Sequence, residues 1–383
     1  MSKLEELIQK YCPDGVEYRP LVECCNILDG KRKPITKGAR QPGPYPYYGA
    51  NGIQDWVADY IFDGIYVLVG EDGSVITPSG TPVVNWAEGK IWVNNHAHII
   101  AEKPGVLLRF LYFFIQTIDI HNLVHGNIPK LTQGDLKELE IPIPPLPVQE
   151  EIVRVLDTFT ELQTELQTEL QIRLQQYNYY RENLLSFEGK TDVEWKKLGE
   201  IGKVCMCKRI LKDQTSSDGD IPFFKIGTFG GVADAFISKE LFETYKAKYS
   251  YPQKGDILIS AAGTIGRTVV FDGKPAYFQD SNIVWLKHNE SVVLNSFLRY
   301  IYSLSPWAIS TGGTIARLYN DNILNAVIPV PSLNEQQKIV DILDRFDAMT
   351  TDLTAGLPAE IEKRRQQYEF YRDKLLTFKR KEA

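Results

Sequence analysis

The chain repeats itself, and that constrains its fold more than any other feature. The run Ile141-Pro142-Ile143-Pro144-Pro145-Leu146 returns 187 positions later as Ile328-Pro329-Val330-Pro331-Ser332-Leu333. Gln149, Ile152-Val153 and Leu156-Asp157 return at the same spacing as Gln336, Ile339-Val340 and Leu343-Asp344. Further on, Gln175-Gln176-Tyr177-Asn178-Tyr179-Tyr180-Arg181 matches Gln366-Gln367-Tyr368-Glu369-Phe370-Tyr371-Arg372 at a spacing of 191. The second copy has therefore gained four residues, about one helical turn. Upstream, Val16-Glu17-Tyr18 with Leu21 is echoed by Val193-Glu194-Trp195 with Leu198. A chain of 383 residues has room for two or three domains, and the repeat makes it two copies of one unit, a pseudo-twofold arrangement.

Each copy reads as a globular part followed by a helical part. Residues 1–145 and 191–331 are rich in Gly, Pro, aromatic and β-branched residues. Residues 64–69 and 255–260 have the short apolar runs of strands. Residues 107–117 and 294–303 have helical spacing, so the expected class is α+β. Residues 146–190 and 332–383 form the two helical parts. From position 148 to 187 no Gly or Pro interrupts 40 residues, about 60 Å of helix. Apolar residues at 152, 155, 156, 159, 162, 166, 170 and 174 line one face, and Glu161, Glu165 and Glu169 the other. The second helix carries the same kind of stripe up to Gly356 and Pro358, where proline is expected to kink or break it. Pairing the two stripes in an antiparallel coiled coil is the simplest way to bury both. The four-residue repeat within 161–171 fits a spacer between the globular parts; a solvated helix of low complexity is the alternative.

At 43% hydrophobic and 24% charged residues, the composition is that of a soluble globular protein. No apolar run approaches the roughly 18–20 residues of a membrane helix, and Met1-Ser2-Lys3-Leu4-Glu5-Glu6 lacks the apolar core of a signal peptide. A cytoplasmic location is expected. Cys24-Cys25 and Cys205-x-Cys207 have no His or second Cys pair at zinc spacing, so free thiols are expected and neither a metal nor a cofactor.

A net charge of −6 sits awkwardly with binding to a polyanion. Residues 1–140 hold 13 Lys+Arg against 17 Asp+Glu, while 196–327 hold 16 against 12. The segment 141–195 has 4 against 10, whereas 328–383 balances at 10 against 10. Much of the excess acid thus lies on a helix, which points to a protein partner there.

Catalytic motifs are weak. Gly189-Lys190-Thr191 resembles a phosphate loop, but Leu184 stands where its first Gly belongs. No Asn-Pro-Pro-aromatic run, the adenine-methyltransferase signature, occurs. Pro13-Asp14 with Asp29-Gly30-Lys31 fits a loose nuclease pattern in which two carboxylates and a Lys would hold Mg²⁺. That pattern is short, has no equivalent in the second copy, and reads as a turn at Asp29-Gly30. His96 and His98 fall in residues 92–100, an alternating stretch that reads as one strand, and lack Glu or Cys partners at ligand spacing. They are expected to be structural or DNA-contacting.

Two divergent α+β domains, each followed by Ile-Pro-Ile/Val-Pro-x-Leu-x-x-Gln and a long helix, resemble the specificity subunit of type I restriction–modification systems. The resemblance covers essentially the whole chain. It implies two target-recognition domains, 1–145 and 191–331, each reading one half of a bipartite, asymmetric double-stranded DNA site. It implies helical spacers, 146–190 and 332–383, that dock two methyltransferase subunits carrying S-adenosylmethionine, with restriction/translocase subunits joining to cleave. The chain itself would be non-catalytic. A stand-alone nuclease and a protein-only adaptor are the alternatives.

For DNA contact, cations beside Gly, aromatic and amide residues in loops are the candidates. Lys31-Arg32-Lys33, near Lys37 and Arg40, is the densest basic cluster of the first domain, and Lys208-Arg209 with Lys212 stands at a similar place in the second. Gly126-Asn127-Ile128-Pro129-Lys130-Leu131 matches Gly313-Thr314-Ile315-Ala316-Arg317-Leu318 at the 187 spacing. A cation four residues after Gly in both copies suits a phosphate contact that fixes orientation, with Asn127 and Thr314 beside it. Arg267, Lys225, and Asn51 near Tyr47-Tyr48 complete the set on composition alone.

Overall fold

The computed structural model describes residues 3–308 and 317–382. It divides into two compact units, the first holding residues 1–168 and 360–383, the second residues 169–359. Each unit combines the globular part of one copy with stretches of both helical regions. The helices are α1 (Lys3–Tyr11), α2 (Leu108–Ile115), α3 (Leu146–Leu185), α4 (Lys239–Lys248), α5 (Asn295–Ser303), α6 (Leu333–Thr351) and α7 (Leu357–Leu375).

As the absence of Gly and Pro requires, α3 runs unbroken for 40 residues. Its Leu162, Leu166, Leu170 and Leu174 are half-buried while Glu161 and Glu165 are exposed. The second helical region breaks where proline requires, between α6 and α7. Pro358 falls in the first turn of α7, where a missing N–H costs nothing. The Asp352 carboxylate accepts the Thr354 and Ala355 N–H groups at 2.7 and 3.2 Å and turns the chain. A Cβ at Gly356 would stand 2.6 Å from the Ala348 carbonyl oxygen, so only glycine fits.

In the first unit, β1 (Glu17–Pro20) pairs antiparallel with β8 (Glu140–Ile143). A six-stranded sheet has the order β2-β7-β5-β6-β3-β4, with β2 (Asn26–Ile27), β3 (Pro42–Gly49), β4 (Gly52–Val57), β5 (Phe62–Gly70), β6 (Val84–Val93) and β7 (Ala97–Ala101). All its pairs are antiparallel except β3 with β6. The alternating stretch 92–100 is not one strand. The Asn94 side chain accepts the His96 N–H at 2.8 Å, an Asx turn that sends β6 and β7 to opposite edges of β5.

The second unit repeats the two-stranded pairing, β9 (Glu194–Lys197) with β17 (Val327–Val330), in the matching register. Its main sheet has the order β10-β16-β13-β14, from β10 (Lys203–Cys205), β13 (Ile257–Ser260), β14 (Thr268–Val270) and β16 (Ile283–Lys287). A three-stranded sheet adds β11 (Ile221–Phe224), β12 (Phe236–Ile237) and β15 (Tyr277–Phe278).

Each core is sealed by the start of one long helix and the end of another. In the first unit Phe110, Leu111, Phe113 and Ile115 of α2 cluster with Val148, Ile152 and Leu156 of α3, and with Leu376 just after α7. Phe159 stacks on Tyr371 at 5.5 Å between ring centroids. In the second unit Phe297, Leu298, Ile301 and Tyr302 of α5 meet Ile339, Val340 and Leu343 of α6 and Leu185 of α3. Phe346 stacks there on Tyr180 at 5.4 Å. Fully burying each such Phe or Leu contributes about 1.5–3 kcal/mol.

The repeated motif has a physical purpose in its glutamine. Gln149 is fully buried. Its Oε1 accepts the Leu107 N–H at 2.9 Å, at the start of α2, and its Nε2 donates to Pro144 O at 2.7 Å and Gly105 O at 3.2 Å. Gln336 does the same, accepting from Leu294 N–H at 2.8 Å and donating to Pro331 O and Val292 O at 2.8 and 3.0 Å. Neither Leu107 nor Leu294 offers a side-chain cap to its helix, so the amide ties long helix, proline strand and short helix together. Gln149→Ala and Gln336→Ala are each expected to destabilise their unit by about 1–3 kcal/mol, the cost of buried groups left without partners. The two losses should be nearly additive because the sites share no partner; denaturant titration of the single and double variants measures both.

Candidate nucleic-acid interface

The two cation loops singled out in each copy converge on one place in each unit. In the first unit that place is the ends of β5 and β7. Asp29, at a 3₁₀ turn after β2, is buried. Its carboxylate takes His98 Nδ1 at 2.6 Å, Gln133 Nε2 at 2.9 Å and the Ile99 N–H at 3.0 Å. Burial alone would push the Asp29 carboxyl up, but these hydrogen bonds outweigh it and hold the group below its ordinary value. The second nitrogen of His98 faces Leu131 O at 2.9 Å, so this fully buried histidine is structural.

Arg32 turns inward. Its Nη1 pairs with Glu71 and donates to Ala97 O at 2.9 Å, its Nε donates to Asp29 O at 3.0 Å, and its Nη2 lies 3.5 Å from the Asp29 carboxylate. These contacts make it an internal clamp and leave it little to offer a phosphate. Its neighbours Lys31 and Lys33 are exposed. Lys130 closes the other loop, with its Nζ 3.2 Å from Glu71 Oε1, and Asn127 is exposed on that loop. Asn51 is exposed in the turn joining β3 to β4, where Gly52 at φ +89 supplies the left-handed residue.

The second unit builds the same convergence on residues 280–282, just before β16. Arg209 donates to Asp280 Oδ2 at 2.9 Å, and Arg317 donates to Ser281 O at 3.0 Å and Asn282 Oδ1 at 3.4 Å. The Lys208 ammonium lies 5.3 Å from the Tyr249 ring centroid. Lys225 and Arg267 mark a separate loop: Lys225 pairs with Asp234 at 2.8 Å, and Arg267 donates to Gly230 O at 3.2 Å. Thr314 lies outside the described residues.

Glu71 and its partnership with Lys130 were missed by sequence reasoning. The available signal was an acid directly after the buried strand β5, but its partners are 39 and 59 residues away in sequence. Asp29, Glu71 and His98 bring potential ligand atoms within 4.8 Å of one another. Arg32 and Gln133 hold these same carboxylates, so the group acts as an ion-pair network and not as a cation site. Of the loose nuclease pattern, Asp29 is buried and taken up by His98, Gln133 and Ile99, whereas Asp14 and Lys31 are exposed. Buried Cys207 has its thiol pushed up to about 12 by desolvation, and all five cysteines are buried and free of disulfides. Among the described residues no helix is long and apolar enough to cross a membrane.

The comparisons agree with this duplication. The family model described as the type I restriction modification DNA specificity domain matches twice, over residues 13–176 and 190–363. A putative type I restriction enzyme specificity subunit of Haemophilus influenzae is 50% identical over 384 residues, covering 98% of both chains. The specificity subunit of an Escherichia coli type I restriction enzyme is 34% identical over 305 residues, covering 72% of each. The fold is shared with the crystal structure of the type I restriction–modification S subunit of M. genitalium, at TM-score 0.58 and 18% identity over 94% of this chain and 95% of that one. With both halves matched and a relative at half identity over its length, the chain belongs to the type I restriction–modification DNA specificity family.

Proposed function

We propose that the chain is the DNA-reading subunit of a type I restriction–modification complex, each unit recognising one half of a bipartite, asymmetric duplex site. The observation that carries this reading is the recurrence of a cation, Lys130 and Arg317, at the same place in both units. A DNA-binding role needs the same phosphate-anchoring geometry twice while base-reading loops diverge, and a cation at equivalent positions in two otherwise divergent units supports that reading. The reading assigns no catalytic residue to the chain. It places adenine methylation on two methyltransferase subunits that bring S-adenosylmethionine, and cleavage on restriction/translocase subunits, all in the cytoplasm. The two repeated helical segments motivate the number two, because a duplicated surface binds two copies of one partner. The purified chain is expected to show no methyltransferase or nuclease activity and to co-purify with two methyltransferase copies. Native mass measurement of the co-expressed complex checks this, and a single copy would contradict it. Loss of one bipartite adenine-methylation motif from the methylome of cells lacking the chain tests the function itself.

Lys130→Ala and Arg317→Ala are expected to weaken DNA binding without changing the preferred sequence. Each lost phosphate contact lowers the salt slope of affinity by about one unit. Unchanged affinity and slope in both variants would make these cations ordinary surface charges.

We further propose that α3, paired antiparallel with α6 and α7 as a coiled coil, spaces the two half-sites. One added Thr-Glu-Leu-Gln unit within 161–171 lengthens the helix by about 6 Å and rotates it only about 40° beyond a full turn. The Leu162/Leu166/Leu170 stripe then nearly keeps its phase. On B-DNA, at about 3.4 Å per base pair, the same half-sites should be methylated across a gap longer by one or two base pairs. Retention of the original gap, read by methylome sequencing, would remove the spacer role from this helix.

A further inference from the structure

The two units hold their anchoring cations differently. Their backbones agree: Leu131 N–H donates to Glu71 O at 2.9 Å in the first, and Leu318 N–H donates to Ala261 O at 2.9 Å in the second. Position 71 is therefore equivalent to position 261, the first residue after β5 and β13 respectively. At that place the first unit carries a carboxylate and the second a methyl group.

The carboxylate is well placed to act. Its side chain is 13% exposed, against 47% for Lys130, so it faces the lysine from the protein side and leaves the ammonium partly open to solvent. Arg32 pairs with the other oxygen of the same carboxylate, and His98 Nδ1 stands 3.6 Å away. Glu71 is thus held whether or not Lys130 stays. In the second unit Arg317 touches only neutral acceptors, Ser281 O and Asn282 Oδ1, and has no carboxylate partner among the described residues.

We infer that Glu71 is a positioning residue that restrains Lys130 as an internal counter-anion, so that the first unit grips DNA more weakly than the second. The inference rests on the phosphate-contact reading of Lys130 given above. A phosphate approaching the first unit competes with Glu71 for the ammonium, whereas a phosphate approaching Arg317 meets a cation with no anion to displace. The carboxylate also keeps the lysine from other polyanions until a duplex offers enough additional contacts to draw it away. The two half-sites are then unequal: the second unit supplies the larger electrostatic share of affinity, and the first depends more on correct base contacts.

The test is a double-mutant cycle in the full chain assembled with its methyltransferase partners, on a duplex carrying the methylated bipartite site. Glu71→Gln keeps the shape and an acceptor for Arg32 while removing the charge. It should tighten binding about two- to fivefold at low salt, the range expected on releasing a part-exposed ion pair, with the gain shrinking as salt rises. Lys130→Met should weaken binding and lower the salt slope by about one. In the Lys130→Met background Glu71→Gln should have no further effect on affinity. An unchanged Kd for a well-folded Glu71→Gln, or an equal gain with and without Lys130, overturns the restraint. If Lys130→Met alone changes neither Kd nor slope, the phosphate reading fails first and the restraint with it, a distinguishable result. Should Glu71→Gln unfold the first unit, Ala261→Glu makes the reciprocal change beside Arg317. It should weaken binding about two- to fivefold, and no loss of affinity in that folded variant overturns the inference.

Discussion

Two buried glutamine amides, Gln149 and Gln336, organise the rest of the molecule. Each satisfies one N–H and two carbonyl groups that come from a loop, a proline strand and the start of a helix. No side-chain cap serves either short helix, so the amide is the piece that lets a long helix begin directly against a sheet-bearing domain. The prolines beside it make this possible. In Ile141-Pro142-Ile143-Pro144 and Ile328-Pro329-Val330-Pro331 the chain is held extended, and β8 and β17 are each paired on one side only, where proline is tolerated. A neutral latch of this kind holds regardless of ionic strength, whereas contacts to DNA do not.

The duplication, the α+β class, the unbroken first helix and the break near Pro358 were all legible in the sequence, because each rests on local spacing or on residues with special backbones. The convergence of cations was half legible. Matching Lys130 with Arg317, and setting Lys31-Arg32-Lys33 beside Lys208-Arg209, picked out loops that come together in the fold, yet nothing local showed where in each unit they meet. The meeting is made by strand order, since β7 and β6 lie on either side of β5 although they are joined by only three residues. For the same reason Arg32 looked like a free cation: its acceptors Glu71 and Ala97 are 39 and 65 residues distant. Asn51, Lys225 and Arg267 rested on composition alone; the Lys225 side chain pairs with Asp234, and Arg267 donates to the Gly230 carbonyl.

The distribution of charge, awkward for a DNA reader when summed, becomes orderly when paired. The first domain's acids include Asp29 and Glu71, which hold an arginine, a histidine and a lysine in place instead of facing solvent. On the long helix, Glu169 pairs with Arg173, and near its start Glu151 takes both Lys3 and Arg154. A formal charge count therefore overstates the repulsion an approaching duplex would meet at the first globular part, and residues 196–327 of the second carry 16 Lys+Arg against 12 Asp+Glu.

The division of the chain has a consequence for its birth. The second unit is one continuous stretch, 169–359, but the first is assembled from residues 1–168 and 360–383. The tail returns to the beginning: Val16 N–H donates to Lys379 O at 2.8 Å, and Lys381 N–H donates to Val16 O at 2.9 Å. At Gly15, which sits at φ +103, a Cβ would strike Lys379 O at 2.5 Å. Phe110 and Phe113 receive Phe378 and Tyr368 as ring neighbours. On a ribosome that delivers the chain from its amino terminus, the part made first is the part finished last. Until residues 360–383 have been made, after the whole of the second unit, Phe110 and Phe113 lack the ring neighbours Phe378 and Tyr368, and Leu376 is missing from their core.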